Sequence, residues 1–118
     1  MKMTIEVPLE TEDDFFFMSN LPPSFTGLPF MVWISQRGFA RHDVRVKVTR
    51  GHKVKKGEFI TVSVRPEVEV LRGDLRPGEL KKLRAWIELN REVLVQFWDG
   101  GIEDTIEVLG KLKPVEGK

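Results

Sequence analysis

The sequence predicts an α+β fold: a small, mostly antiparallel sheet packed against one long C-terminal helix, with a short terminal helix after it. Two patterns carry this expectation. Between residues 43 and 65, valines and isoleucines alternate with polar residues, the period-2 pattern of half-buried strands. From Pro77 to Trp98, apolar residues recur every three or four positions, the pattern of a helix with one buried side.

Taken in order, Thr4 to Leu9 alternate like a short strand that Pro8 restricts to an edge or a terminus. An acidic run, Glu10 to Asp14, leads into Phe15-Phe16-Phe17-Met18. Ser19 to Leu28 contains Pro22-Pro23 and Gly27 and reads as an extended loop, held down by Phe25, Leu28 and the preceding phenylalanines. Phe30 to Ser35 has large apolar groups at both parities, as a central strand covered on two sides requires. Gln36-Arg37-Gly38 is a turn. Val44, Val46 and Val48 then alternate with Asp43, Arg45, Lys47 and Thr49, a half-buried strand with a charged outer face. A lysine-rich loop from Gly51 to Gly57 leads to a second such strand. There Ile60, Val62 and Val64 alternate with Thr61, Ser63 and Arg65. Strands joined this closely are antiparallel neighbours. Pro66 interrupts, and Val68 to Leu71 forms a short further strand before Gly73-Asp74.

Pro77 suits the first helical position, where its missing amide proton is not needed, and Glu79 places an acid in the first turn. At 100° per residue Leu80, Leu83, Ile87, Leu94 and Trp98 share one face, with Trp86, Val93 and Phe97 beside it. Lys81, Arg84, Glu88, Arg91 and Glu92 occupy the opposite side. Trp86 and Trp98 fall at the two edges of the apolar arc, which makes them core wedges rather than a paired aromatic cage. Asn90 projects into the middle of that arc. A buried amide is costly unless hydrogen-bonded, so it is expected to bond backbone groups of a neighbouring loop such as Leu21 to Gly27, a ligand contact being the alternative. Gly100-Gly101 ends the helix. Ile102, Thr105, Ile106 and Leu109 then repeat at helical spacing before Gly110 and Pro114, although Thr105 to Leu109 also fits a strand.

With 118 residues the chain fits one domain, 1–28 as edge strand and loop, 29–72 as sheet and 73–118 as helical part. The longest apolar run, Phe30 to Ile34, is far short of the ~18 residues of a membrane span. The acid at Glu6 interrupts any secretory core, so a cytoplasmic protein without membrane contact is expected. The absence of cysteine removes disulfides, thiolate metal sites and cysteine nucleophiles.

No catalytic constellation is legible. The two histidines, His42 and His52, are roughly 30 Å apart if the segment between them is extended, too far to share a metal ion. His42 and Asp43, as strand neighbours, point to opposite faces and do not form a dyad. In a strand reaching back to His42, that ring is a hydrogen-bonded structural group on the valine face. Ser24, Ser35 and Ser63 lack the base and strained elbow that serine chemistry needs, and the glycines match no phosphate-binding loop. No cofactor and no metal is expected.

The net charge of +1 conceals an uneven distribution: residues 37–56 hold eight bases and one acid, between two mildly acidic flanks. Arg41, Arg45 and Lys47 are expected on one outer strand face, continued by Arg50, Lys53, Lys55 and Lys56 around the turn. Such an island is either a polyanion-facing surface or a solvated strand face with a lysine-rich turn. Cations at ~6.6 Å spacing could follow a phosphate backbone. Only Phe39 and Phe59 lie near enough to interleave as stacking rings.

The order of strands followed by Trp86-Ile87-Glu88-Leu89-Asn90-Arg91-Glu92, with Leu94 and Trp98, resembles a family of small uncharacterised bacterial proteins. Some of these are encoded beside a second small protein in toxin–antitoxin-like pairs. The resemblance covers about residues 30–100 and rests on Gly73, Leu75, Trp86, Asn90, Leu94 and Trp98, which are mostly packing residues. The family often carries a histidine- and proline-rich stretch in its early strands, where this chain has only Arg41-His42-Asp43. The resemblance therefore speaks to fold rather than to activity; with no catalytic constellation legible, a non-enzymatic partner-binding module of bacterial origin is expected, and the resemblance adds membership of a two-gene, toxin–antitoxin-like pair. From the residues themselves, two contact regions are expected: the acidic-aromatic segment with Asp13, Asp14, Phe15 and Phe16, and the basic row from Arg41 to Lys56. Nucleic-acid binding by residues 41–56 is the alternative.

Overall fold

In a computed structural model of the chain, the structure describes residues 18–50 and 58–115. The expected strand within residues 4–9, the acidic-aromatic segment and the lysine-rich loop lie outside the described residues. Five strands, β1 (Ser19–Leu21), β2 (Met31–Ile34), β3 (Arg45–Thr49), β4 (Ile60–Ser63) and β5 (Val70–Arg72), form an antiparallel sheet in chain order. A single helical turn, α1 (Pro23–Thr26), separates β1 from β2. Two helices follow the sheet, α2 (Pro77–Asp99) and α3 (Thr105–Lys111). The α+β expectation therefore holds.

Ser19 to Leu28 is not a plain loop. Ser19, Asn20 and Leu21 pair with Ile34, Trp33 and Val32, and the Pro22-Pro23 pair starts α1 instead of merely interrupting the chain. Pro23 sits at the first helical position, where a missing N–H costs nothing.

Strand parity divides the sheet into two faces. Val32 lies opposite Val48, Val46 opposite Val62, and Val62 opposite Val70. Val32, Val46, Val48 and Val62, with Leu21, Ile34, Ile60 and Val64, join Leu83, Trp86, Ile87, Leu94, Phe97 and Trp98 of α2 in one buried cluster, and the half-buried Val70 packs against it. Trp86 and Trp98 are core residues, as the helical projection predicts; the Trp86 indole N–H has no hydrogen-bond partner. The helix opens with the Glu79 carboxylate accepting from the Arg76 backbone N–H at 2.9 Å and closes at Gly100.

The helical alternative for residues 105–109 is the one realised. Asp104 caps α3 by accepting from the Ile106 and Glu107 N–H groups. Its buried residue is Val108, flanked by Ile102 and Leu112, whereas Ile106 is exposed. The spacing of Ile102, Thr105, Ile106 and Leu109 thus names the helix correctly; of that set Ile102 is buried and Leu109 packs against the core, while Thr105 and Ile106 are exposed.

Asn90 is buried and bonds backbone, but not that of residues 21–27. Its Nδ2 donates to the Lys113 carbonyl at 2.8 Å and to the Trp86 carbonyl at 2.9 Å, and its Oδ1 accepts from the Lys113 N–H at 2.7 Å. Two residues on, the Val115 N–H donates to the Thr26 carbonyl at 2.8 Å. The extended tail after α3 is thereby pinned between α2 and α1. Gly27 makes this approach possible: its φ is +82°, and a Cβ there would sit 2.2 Å from the Val115 carbonyl oxygen.

Candidate interaction surface

The basic row does not form one solvated ribbon. Lys47 is 5% exposed, contrary to the expectation of a wet outer face. The reason lies in its neighbours. Opposite it on β2 is Trp33, and Met31, Trp33 and Phe59 form a second buried apolar cluster on this side of the sheet, with Met18 against it. The Lys47 stem lies along that cluster and its ammonium stands 5.3 Å from the centre of the Phe59 ring. Arg72 reaches the same ring, its guanidinium carbon 3.8 Å from the centre, and donates to the Phe59 carbonyl at 2.8 Å. Trp33 Nε1–H donates to the Thr49 hydroxyl at 2.9 Å. The outer face of the sheet is a second packed surface, built in the row Trp33, Lys47, Thr61 and Arg72 across β2 to β5. Alternation alone could not report this, because lysine counts as polar in the pattern whatever its stem covers. The valines opposite are buried as expected, so the register stands.

The remaining cations meet separate fates. Arg45 is half-buried and, like Lys47, is not an unpartnered cation. Arg50 pairs with both carboxylate oxygens of Glu79 and donates to the Asp74 carbonyl, which ties the end of β3 to the first turn of α2. The Arg50 hydrogen bonds, with the Arg76 N–H, hold the Glu79 carboxyl at about 2, well below its ordinary value. Lys53, Lys55 and Lys56 lie outside the described residues, as do Asp13, Asp14, Phe15 and Phe16. Arg41 is exposed.

Arg41 belongs to the loop 36–43 between β2 and β3, the most distinctive surface of the described residues. Phe39 at its tip is wholly exposed, with a relative accessibility of 103%. Around it the loop is fastened at five places. Gln36 Nε2 donates to the Ile102 and Glu103 carbonyls at 3.3 and 3.1 Å, and the Arg37 N–H donates to the Trp98 carbonyl at 3.1 Å. The Ala40 N–H donates to the Arg37 carbonyl at 2.9 Å, closing a turn whose first central residue, Gly38, has φ +56°. Phe39 at the second central position does not have a positive φ, the sign pattern of a II′ turn, in which glycine is the natural first residue. His42 stacks on Trp98 with 5.5 Å between ring centres and an interplanar angle of 27°. Asp43 accepts from Arg65 through both oxygens at 2.9 Å, and this hydrogen bonding lowers its carboxyl pKa.

His42 thus differs from its conditional assignment. The strand begins at Arg45, so the ring is not on the valine face; it is exposed and covers the edge of Trp98. Its Nδ1 lies 2.7 Å from the Asp43 carbonyl oxygen, a local backbone contact rather than a dyad. His52 lies outside the described residues. Among the described residues no three His, Asp or Glu side chains are gathered as for a metal ion, and no helix is long and apolar enough to cross a membrane.

Phe39 enters the sequence reading only as a ring beside the basic row. The signal for a larger role is an aromatic placed directly after a turn glycine, outside any period-2 or period-3.6 set and between two arginines.

The fold and surface define an antiparallel meander covered by a helix, with an arginine–phenylalanine loop at one end. Over residues 51–99, which include β4, β5 and α2, the chain is similar to a domain of unknown function (DUF4160). The loop 36–43 lies outside the matched segment. No curated protein and no solved structure matches the chain.

Proposed function

We propose that this chain is a small, non-enzymatic partner-binding module of bacterial origin, one member of a two-gene, toxin–antitoxin-like pair. The observation that carries the reading is the wholly exposed Phe39 on a loop fastened at Gln36, Arg37, Ala40, His42 and Asp43. Full burial of such a side chain is worth ~1.5–3 kcal/mol. Held clear of the core on a fastened loop, the Phe39 ring is an apolar group available for burial against another macromolecule. Arg41 adds an exposed cation beside it. The acidic-aromatic segment with Asp13, Asp14, Phe15 and Phe16 is the second proposed contact region.

Nucleic-acid binding by residues 41–56 is the rival reading. It is weakened by the burial of Lys47 and the pairing of Arg50 with Glu79, since a phosphate track needs a continuous row of accessible cations. Affinity capture of the tagged full chain from its host, beside low-salt titrations with single-stranded RNA and duplex DNA, separates the two. The module reading expects the protein encoded by the adjacent gene to co-purify, and Arg41→Glu to weaken that capture. Nucleic-acid affinity that falls steeply with salt and disappears in Arg41→Glu, with no protein captured, would replace it.

A further inference from the structure

We propose that the loop 36–43 is a preformed anchor for an acidic protein surface: Phe39 enters an apolar pocket on the partner while Arg37 and Arg41 meet carboxylates at its rim. This rests on the partner-binding reading and names the partner's chemistry. Three observations converge on it.

The first is order. Binding normally costs the entropy of immobilising a loop, and a loop already held in one shape avoids most of that cost. Here the bonds run to both sides of the tip: Arg37 to Trp98, Ala40 to Arg37, and Gln36 to the α2–α3 connection. Phe39 is the side chain those bonds leave projecting.

The second is charge. Arg37 and Arg41 are exposed on either side of Phe39, and the one acid of the loop, Asp43, is neutralised by the bidentate Arg65 contact. The loop therefore presents a cationic collar around an apolar tip. Such a collar steers approach toward carboxylates and disfavours a basic partner.

The third decides between macromolecules. Single-stranded RNA needs successive rings for successive bases and cations that follow the backbone. The loop has one phenylalanine; the other ring of the basic region, Phe59, is buried under Arg72 and beside Lys47. One phenylalanine anchor with flanking arginines matches the residue types enriched at protein–protein interfaces.

The test places the photo-crosslinking residue p-benzoylphenylalanine in the full chain at Phe39 and, separately, at Leu89 and Ile106, two exposed apolar positions on the helices. Each variant is irradiated in the host cell, and the attached species is identified by mass spectrometry. The proposal expects position 39 to attach to one protein other than this chain, through a peptide containing two or more Asp or Glu residues. Adding Arg41→Glu should lower that yield about tenfold, the factor that corresponds to ~1.4 kcal/mol. Attachment to RNA, to a second copy or to a peptide without acids would overturn it, as would insensitivity to Arg41→Glu. Crosslinks at Leu89 or Ile106 but not at 39 would overturn the anchor and leave partner binding intact. No crosslink at any of the three positions would likewise overturn the anchor, and the partner-binding reading is then decided by the affinity capture of the full chain.

Discussion

Asn90→Ala removes the clamp that holds the C-terminal tail, and its cost follows from the bonds lost. Of the three bonds made by the Asn90 side chain, the one to the Trp86 carbonyl supplements a helical acceptor and matters little. The other two satisfy both the N–H and the carbonyl of Lys113, part-buried groups with this side chain as their partner. A net value of ~0.5–1.5 kcal/mol per bond gives about 1–3 kcal/mol, and the small void left in the core raises the expectation to about 2–3 kcal/mol. With an unfolding entropy near 2.1 cal/mol/K per residue, a chain of this length shifts its Tm by about 4 °C per kcal/mol, so a loss of about 8–12 °C is expected. Thermal melting followed by circular dichroism measures it. Amide hydrogen exchange tells where it acts: the Val115 N–H, bonded to the Thr26 carbonyl, should lose protection before the sheet does. Asn90→Asp is the control. It keeps an acceptor for the Lys113 N–H but sets a carboxylate against the Lys113 carbonyl, so it should destabilise at least as much. A Tm shift under about 2 °C in Asn90→Ala, or unchanged exchange at Val115, would refute the clamp.

Gly27→Ala should loosen the same tail from the other side, since the new Cβ would collide with the Val115 carbonyl at a φ that L residues rarely adopt. An expected loss of more than ~1 kcal/mol is readable by urea denaturation. Glu79, whose folded pKa is depressed to about 2, contributes stability that is fully present above its ordinary value near 4.5 and is lost as pH falls toward 2. Urea midpoints measured from pH 6 to pH 2 should therefore fall more for the wild type than for Glu79→Gln. Lys47→Glu should destabilise by setting an acid in a buried site, so its effect on any binding reports folding.

The body of the fold was legible because its signals are local and periodic. The valines of β3, the isoleucine and valine of β4 and the apolar arc of α2 each specify an inner face without reference to the rest. What was missed depends on contacts across elements. Lys47 reads as a solvent residue until Trp33 and Phe59 are known to flank it. Asn90 signals a buried amide, but its partner, Lys113, lies 23 positions along the chain, at a distance no spacing rule encodes. The Pro22-Pro23 pair reads as a loop because proline ends more elements than it starts, and only the pairing of Leu21 with Val32 reveals β1. At the candidate surface, composition names Arg41. It cannot distinguish Arg50, committed to Glu79, from a cation available to a partner, nor show that Phe39 stands clear of the core.

Capture of the host partner by Phe39→Ala, with melting of the same variant beside it, tests the central claim most directly. The side chain touches no core, so its Tm should match that of the wild type, while capture by the full-length variant should fall to background. Undiminished capture by a variant that is folded to the same Tm would contradict the assignment of the loop 36–43 as the contact surface.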